Sequence, residues 1–239
     1  MENERDERKG NGIFLGIVGV ATLIVAIIGA SFAYFSAQAA SDESAVNLIA
    51  YEFNASLSMQ EIYQSDKGLI PVNPTGTIEN ATAPNNTNLA YALNVAHKCE
   101  DDHNLRICAL YEVTITNGGS AALTLNGSIV TTANNASTNR GESATAFQNL
   151  EYRDVTESEG TYTIGSTATP LATTAGDSIS IGSITVNPGT PVKKYILIYL
   201  NENEDQSNEM GATFQGQVVY ASDGANTNRL TGTFTVSGN

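Results

Sequence analysis

A chain of 239 residues with 25 acidic against 11 basic side chains, a net charge of −14 and no tryptophan, is long enough for a sizeable hydrophobic core and repels other polyanions. Nucleic acid and anionic lipid surfaces are therefore excluded as partners. The surplus of carboxylates solvates a surface, and it suits hard cations only where a specific site gathers several oxygens.

Residues 1–12 are polar, and residues 13–35 (IFLGIVGVATLIVAIIGASFAYF) carry no charge at all. As a helix this run covers roughly 35 Å, enough to cross a hydrocarbon core of about 30 Å. Arg5, Arg8 and Lys9 precede it, and Asp42 and Glu43 are the first charges after it. Basic flanks stay in the cytoplasm, so residues 1–12 are expected inside and everything beyond the run outside. The run is followed by Ser36-Ala37-Gln38-Ala39-Ala40, whose small residues suit a signal peptidase, so that Ala37, Ala39 and Ala40 mark a candidate cleavage region. Residues 13–35 are thus a transmembrane anchor or a cleaved signal, and residues 36–48 a linker or cleavage region. The protein is expected at the cell surface or outside the cell, with the membrane as a partner through residues 13–35 if they are retained. Apart from the four acids and three bases before the apolar run, the remainder holds 21 acids and 8 bases, a net of −13.

Residues 49–239 read as a single β-sandwich ectodomain. Ile49, Tyr51, Phe53, Ala55, Leu57 and Met59 alternate with small or polar residues, the period of a half-buried strand. Residues 68–88 hold three prolines and read as loop with at most one short strand. Residues 89–95 alternate too, but their alanines leave strand and helix both open. Tyr111, Val113 and Ile115 share one strand face that stops at Asn117-Gly118-Gly119, with residues 121–130 as the expected hairpin partner and residues 131–143 as a loop. Further strands are expected at residues 162–164, 178–186 and 192–200. The last is apolar on both faces from Tyr195, the pattern of a central strand covered on both sides. Residues 214–220 and 230–236 form the clearest hairpin, around Ser222-Asp223-Gly224. The result is an all-β, antiparallel, jelly-roll-like sandwich preceded by one N-terminal transmembrane or signal helix.

Cys99 and Cys108 are the only cysteines. They lie close together on the side of the membrane where disulfides persist, so a bridge is expected, a local staple contributing about 2–3 kcal/mol. The competing arrangement is a metal cluster from His97, Cys99, Asp101, Asp102, His103 and Cys108, although no zinc-like spacing is present. No H-E-x-x-H, G-x-S-x-G, P-loop or dinucleotide motif occurs, so no catalytic residue, metal site or cofactor is assigned. Asn201, Asn203 and Asp205 resemble the start of a calcium loop, yet Gln206 stands where that loop needs glycine and Ala212 where it needs glutamate. Sequons occur at Asn54, Asn80, Asn85, Asn126 and Asn135, and matter only in a host that glycosylates exported asparagines.

The stretch from Gly29 to Ser36 (GASFAYFS), followed by Asp42-Glu43-Ser44 and Asn47 before the alternating strand, resembles the start of TasA/camelysin-type surface proteins of Gram-positive bacteria. Residues 111–119 (YEVTITNGG), and residues 195–201 with Asp205-Gln206 and Phe214-Gln215-Gly216, are similar to later strands of that family. The resemblance implies a jelly-roll subunit that assembles with itself into extracellular biofilm-matrix fibres by giving its N-terminal strand to the next copy. The candidate donor strand carries Ile49, Tyr51, Phe53 and Leu57. A membrane-anchored monomeric adhesin or binding module is the alternative function, and a surface hydrolase a minor one.

Overall fold

The alternation of apolar and polar residues through most of the chain after residue 52 is realised in two β-sheets facing one another. The structure is a computed structural model that describes residues 53–72, 88–139, 143–202, 206–222 and 228–239. The apolar run at 13–35 and the candidate cleavage region Ala37, Ala39 and Ala40 lie outside the described residues. Among the described residues no helix is long and apolar enough to cross a membrane.

The elements in chain order are β1 (Ala55–Glu61), β2 (Pro71–Val72), the short helix α1 (Leu89–Ala92), β3 (Ala109–Asn117), β4 (Leu123–Asn135), β5 (Leu150–Ser158), β6 (Thr161–Pro170), β7 (Ser178–Val186), β8 (Val192–Asn201), a 3₁₀ turn at Ser207–Glu209, β9 (Thr213–Ala221) and β10 (Arg229–Ser237). One sheet has the order β1-β3-β8-β5-β6, with β2 beside the end of β8, and the other the order β10-β9-β4-β7. Every pairing is antiparallel except the short β2–β8 contact. This is an all-β sandwich, as the sequence implied.

Alternation decides which side chains meet. Tyr111, Val113, Ile115, Ile196 and Ile198 of the first sheet pack against Leu125, Ile129, Phe214, Val218 and Phe234 of the second. The intervening residues of β8, Tyr195, Leu197 and Tyr199, point to the outer face, where Leu89, Leu93, Ile107 and the two cysteines cover them. Residues 195–200 are accordingly all buried, and β8 sits centrally between β3 and β5, as the double-sided apolar pattern predicted. The pairing of β9 with β10 is likewise the predicted one.

Two sequence expectations are corrected, and one that was left open is decided. The Asn117-Gly118-Gly119 turn does not make a hairpin: β3 pairs with β1 and β8, while β4 pairs with β7 and β9 in the opposite sheet. The cause is Asn117, which is fully buried. Its Nδ2 donates to Ala121 O at 2.7 Å and Val186 O at 3.0 Å, and its Oδ1 accepts from Gly119 N at 2.9 Å, which steers the chain across to the other sheet. Second, the expected loop from 131 begins inside β4, which runs to Asn135. Thr131 is buried there with its hydroxyl donating to Ala172 O at 2.5 Å, so a hydroxyl with a built-in acceptor occupies a core position. Of the two alternatives open for residues 89–95, the structure has helix at Leu89–Ala92, capped by Asn88, whose Oδ1 accepts from Ala90 N at 2.8 Å.

Candidate assembly interface

The first strand starts where Asn54 meets the β3 turn. Gly118 N donates to Asn54 O at 2.6 Å, and Asn54 Nδ2 donates back to Gly118 O at 3.2 Å. A Cβ on Gly118 would stand 2.9 Å from Asn54 Nδ2, so glycine permits the close approach. From there β1 pairs with β3 in unbroken register from Ala55↔Asn117 to Glu61↔Tyr111.

Phe53, Ala55, Leu57 and Met59 turn inward and pack against the main core, while Asn54, Ser56, Ser58 and Gln60 are exposed. Of the four predicted donor-strand residues, the structure places Phe53 and Leu57 together on this apolar face; Ile49 and Tyr51 lie outside the described residues. On the opposite sheet, β10 has glycine where β1 lies over it: a Cβ on Gly232 would be 2.9 Å from Met59 Sδ and 3.0 Å from Leu57 Cδ2. β1 therefore closes the side of the sandwich between the two sheets while, among the described strands, hydrogen-bonding in its sheet only to β3.

At its far end β1 is tied to the disulfide-closed segment by an ion pair. Arg106 is 4% exposed. Its guanidinium donates to a Glu61 oxygen, to Lys67 O at 3.1 Å and to Cys108 O at 3.3 Å. Burial pushes the Glu61 carboxyl above its ordinary value, and the Arg106 charge and hydrogen bond offset this only in part. Further along β3, burial works to raise Glu112, but hydrogen bonds from Lys193 and Tyr195 and the Lys193 charge outweigh it and hold that carboxyl low.

Cys99 and Cys108 are bonded to each other, which removes both thiolates from the metal cluster that the sequence left open. Of the other members, His97 stands apart from the rest. His97 stacks on Tyr91 with ring centroids 3.7 Å apart, its Nδ1 facing Tyr91 O at 2.8 Å. Asp101, Asp102 and His103 do come together, but one Asp101 oxygen accepts from His103 N at 2.9 Å and Leu105 N at 2.7 Å, the work of a turn former. In the acidic run after β8, Asn203 and Asp205 lie outside the described residues, and Asn201 donates to Glu151 at 2.8 Å. The sequons at Asn54, Asn126 and Asn135 are exposed, and those at Asn80 and Asn85 lie outside the described residues.

Sequence reasoning missed the role of Arg106, and a lone arginine inside a cysteine-closed loop gave no periodic signal. Glycines 118 and 232 were visible, but what they accommodate is a long-range partner that spacing does not encode.

No protein-family model and no curated protein matches the chain. Among solved structures it is similar to a FixG-related protein from Vibrio parahaemolyticus, at 8% identity over 77% of this chain and 96% of that one, with a TM-score of 0.36. It is also similar to Spo0M, a sporulation control protein from Bacillus subtilis, at 9% identity over 77% of this chain and 49% of that one, with a TM-score of 0.32. A third likeness is to PapD-like domain 7 of human CEP192, at 11% identity over 77% of this chain and 83% of that one, with a TM-score of 0.28. None of these three is a TasA/camelysin-type protein.

Proposed function

We propose that this protein is a structural subunit of the cell surface or extracellular matrix, a jelly-roll-like sandwich that forms fibres by exchanging its first strand between copies. One observation carries the reading: among the described strands β1 is first in sequence, stands at a sheet edge and can leave without breaking any other strand pairing. Its departure would bare the β3 edge and the apolar seam over Gly232, a groove that only a strand of the same alternation refills. Residues 36–48 would supply the slack for that exchange, and export through the segment at 13–35 would place the subunit outside the cell.

The pairing of β1 with β3 of its own chain favours a second reading, a membrane-anchored monomeric binding module. N-terminal sequencing of the protein from its native envelope, with light scattering and electron microscopy of the same material, separates the two. Fibre assembly predicts a new N-terminus near Ala39 and large assemblies. An intact N-terminus on a monodisperse monomer would overturn it in favour of the anchored module.

A further inference from the structure

The row of β1 side chains that faces the core does not stay apolar to its end. Phe53, Ala55, Leu57 and Met59 are followed in the same alternation by Glu61, which stands directly opposite the buried Tyr111 of β3. A carboxylate in that row is out of keeping with an apolar seam, and a buried cation receives it. The Arg106 guanidinium donates to Glu61, and among the described residues Glu61 is the one acid in ion-pair contact with Arg106.

Arg106 belongs neither to β1 nor to the strand beside it. The Cys99–Cys108 bridge closes the segment that carries it, Glu100 and Arg106 pair there as an isolated antiparallel bridge, and Ile107 N donates to Cys99 O and Ile70 N to Arg106 O, both at 2.9 Å. When β1 leaves, the guanidinium therefore stays at the end of the β3 edge, with Nε still donating to Cys108 O at 3.3 Å but without its counter-charge. Its contribution is to register. In a strand of period two, a slip of one residue turns every side chain to the wrong face, whereas a slip of two keeps the alternation, so apolar patterning alone accepts shifts of two. Such a shift puts Met59 or Tyr63 opposite Tyr111 and leaves Arg106 buried with no anion, the costly half of a broken buried pair. Inward-pointing charges restrict what an open sheet edge accepts. A buried ion pair adds little net stability over apolar packing of the same volume, so what this one supplies is selection.

We infer that Arg106 is the specificity-determining residue of the groove that β1 vacates, and that it admits the first strand of a second copy, in the native register, by the Glu61 carboxylate at that strand's end. The inference rests on strand exchange as proposed above and names what the acceptor reads. The occupant is an alternating apolar strand whose inward row ends in an acid. A strand of equal alternation with an apolar residue at that place is refused, because it buries the Arg106 charge unpaired.

Synthetic peptides of residues 49–63, native or carrying Glu61→Met, test this when added to the full-length protein before assembly, with fibre growth followed by light scattering. The native peptide is expected to halve assembly at a concentration at least about tenfold lower than the Glu61→Met peptide, the loss that follows when one partner of a buried charge pair is left alone. On Arg106→Met protein the order should level or reverse, since an acid there meets an apolar side chain, whereas an arginine with a merely structural role would weaken both peptides alike. Equal potency of the two peptides on wild-type protein would overturn the inference and leave strand exchange standing. Assemblies that neither peptide limits, or protein that stays monomeric throughout, would overturn exchange and the inference with it. The wild-type comparison holds even if the Arg106→Met protein fails to fold.

Discussion

Replacing both cysteines by alanine tests the covering of the outer face of the first sheet. Cys99 and Cys108 are nine residues apart in sequence, and closing so short a loop in the unfolded chain accounts for about 2.5–3 kcal/mol on the chain-entropy model. The bridge also holds a turn with left-handed backbone at Lys98 and Cys99, φ 53° and 63°, a conformation that costs a non-glycine residue roughly 1 kcal/mol or more. Both sulfurs are buried within the cluster that covers Leu197 and Tyr199. Cys99→Ala/Cys108→Ala should therefore lose about 3 kcal/mol, a fall in Tm of roughly 6–12 °C for a domain of this size. With ten tyrosines and no tryptophan, urea and thermal unfolding are best followed by tyrosine fluorescence and circular dichroism. A loss below about 1 kcal/mol would refute the reasoning and show that apolar packing alone holds this segment to the sheet.

Leu197→Ala on the outward side of β8 should cost about 2–5 kcal/mol, the same range as Ile198→Ala on the inward side; a cost under about 1 kcal/mol would mean the outer face is not a core. Gly216→Val should destabilise by about 1–3 kcal/mol, because a Cβ there would stand 2.3 Å from the Phe234 ring; unchanged unfolding would show that the ring moves aside freely. The Glu209 carboxyl is held above its ordinary 4.5, first by burial, so the folded state binds its proton more tightly than the unfolded chain. Its contribution to stability is thus present below 4.5 and lost as pH rises through the raised folded value. Glu209→Gln should be at least as stable as wild type at neutral pH, the advantage shrinking on acidification, as read from melting at a series of pH values. Destabilisation at neutral pH would contradict it.

How much of this was legible in the sequence varied with the range of the interactions involved. The period of two in β1, β3, β7 and β10, the double-sided apolar run of β8 and the cysteine pair are local signals, and each corresponds to what the fold contains. β5 escaped notice because only Leu150 and Tyr152 face the main core, while its outer residues Glu151 and Arg153 serve Tyr199, through hydrogen bonds that include Arg153 Nε to Tyr199 Oη at 3.0 Å. The turn that follows was readable in principle: Glu159-Gly160, both at positive φ, is a two-residue hairpin loop of the favoured type. The crossover after Asn117 was not, because the same Asn-Gly-Gly serves a hairpin or a sheet change, and a buried acceptor on Val186 decides between them. Gln206 follows the acidic run after β8 and Glu209 carries no periodic signal, so nothing local tells that both are buried.

Strand exchange is tested most directly by a crosslink that records which chain β1 pairs with. Ser58 stands opposite Thr114 in the β1–β3 register, and directly opposed residues bring Cα atoms within about 4.5–5.5 Å, inside the range a disulfide spans. Ser58→Cys/Thr114→Cys protein, assembled and then oxidised, should run on denaturing gels without reductant as a ladder of covalent multimers that collapses on reduction. Crosslinked material that migrates solely as monomer, from preparations at high concentration, would show that β1 stays with its own chain and would contradict assembly by exchange.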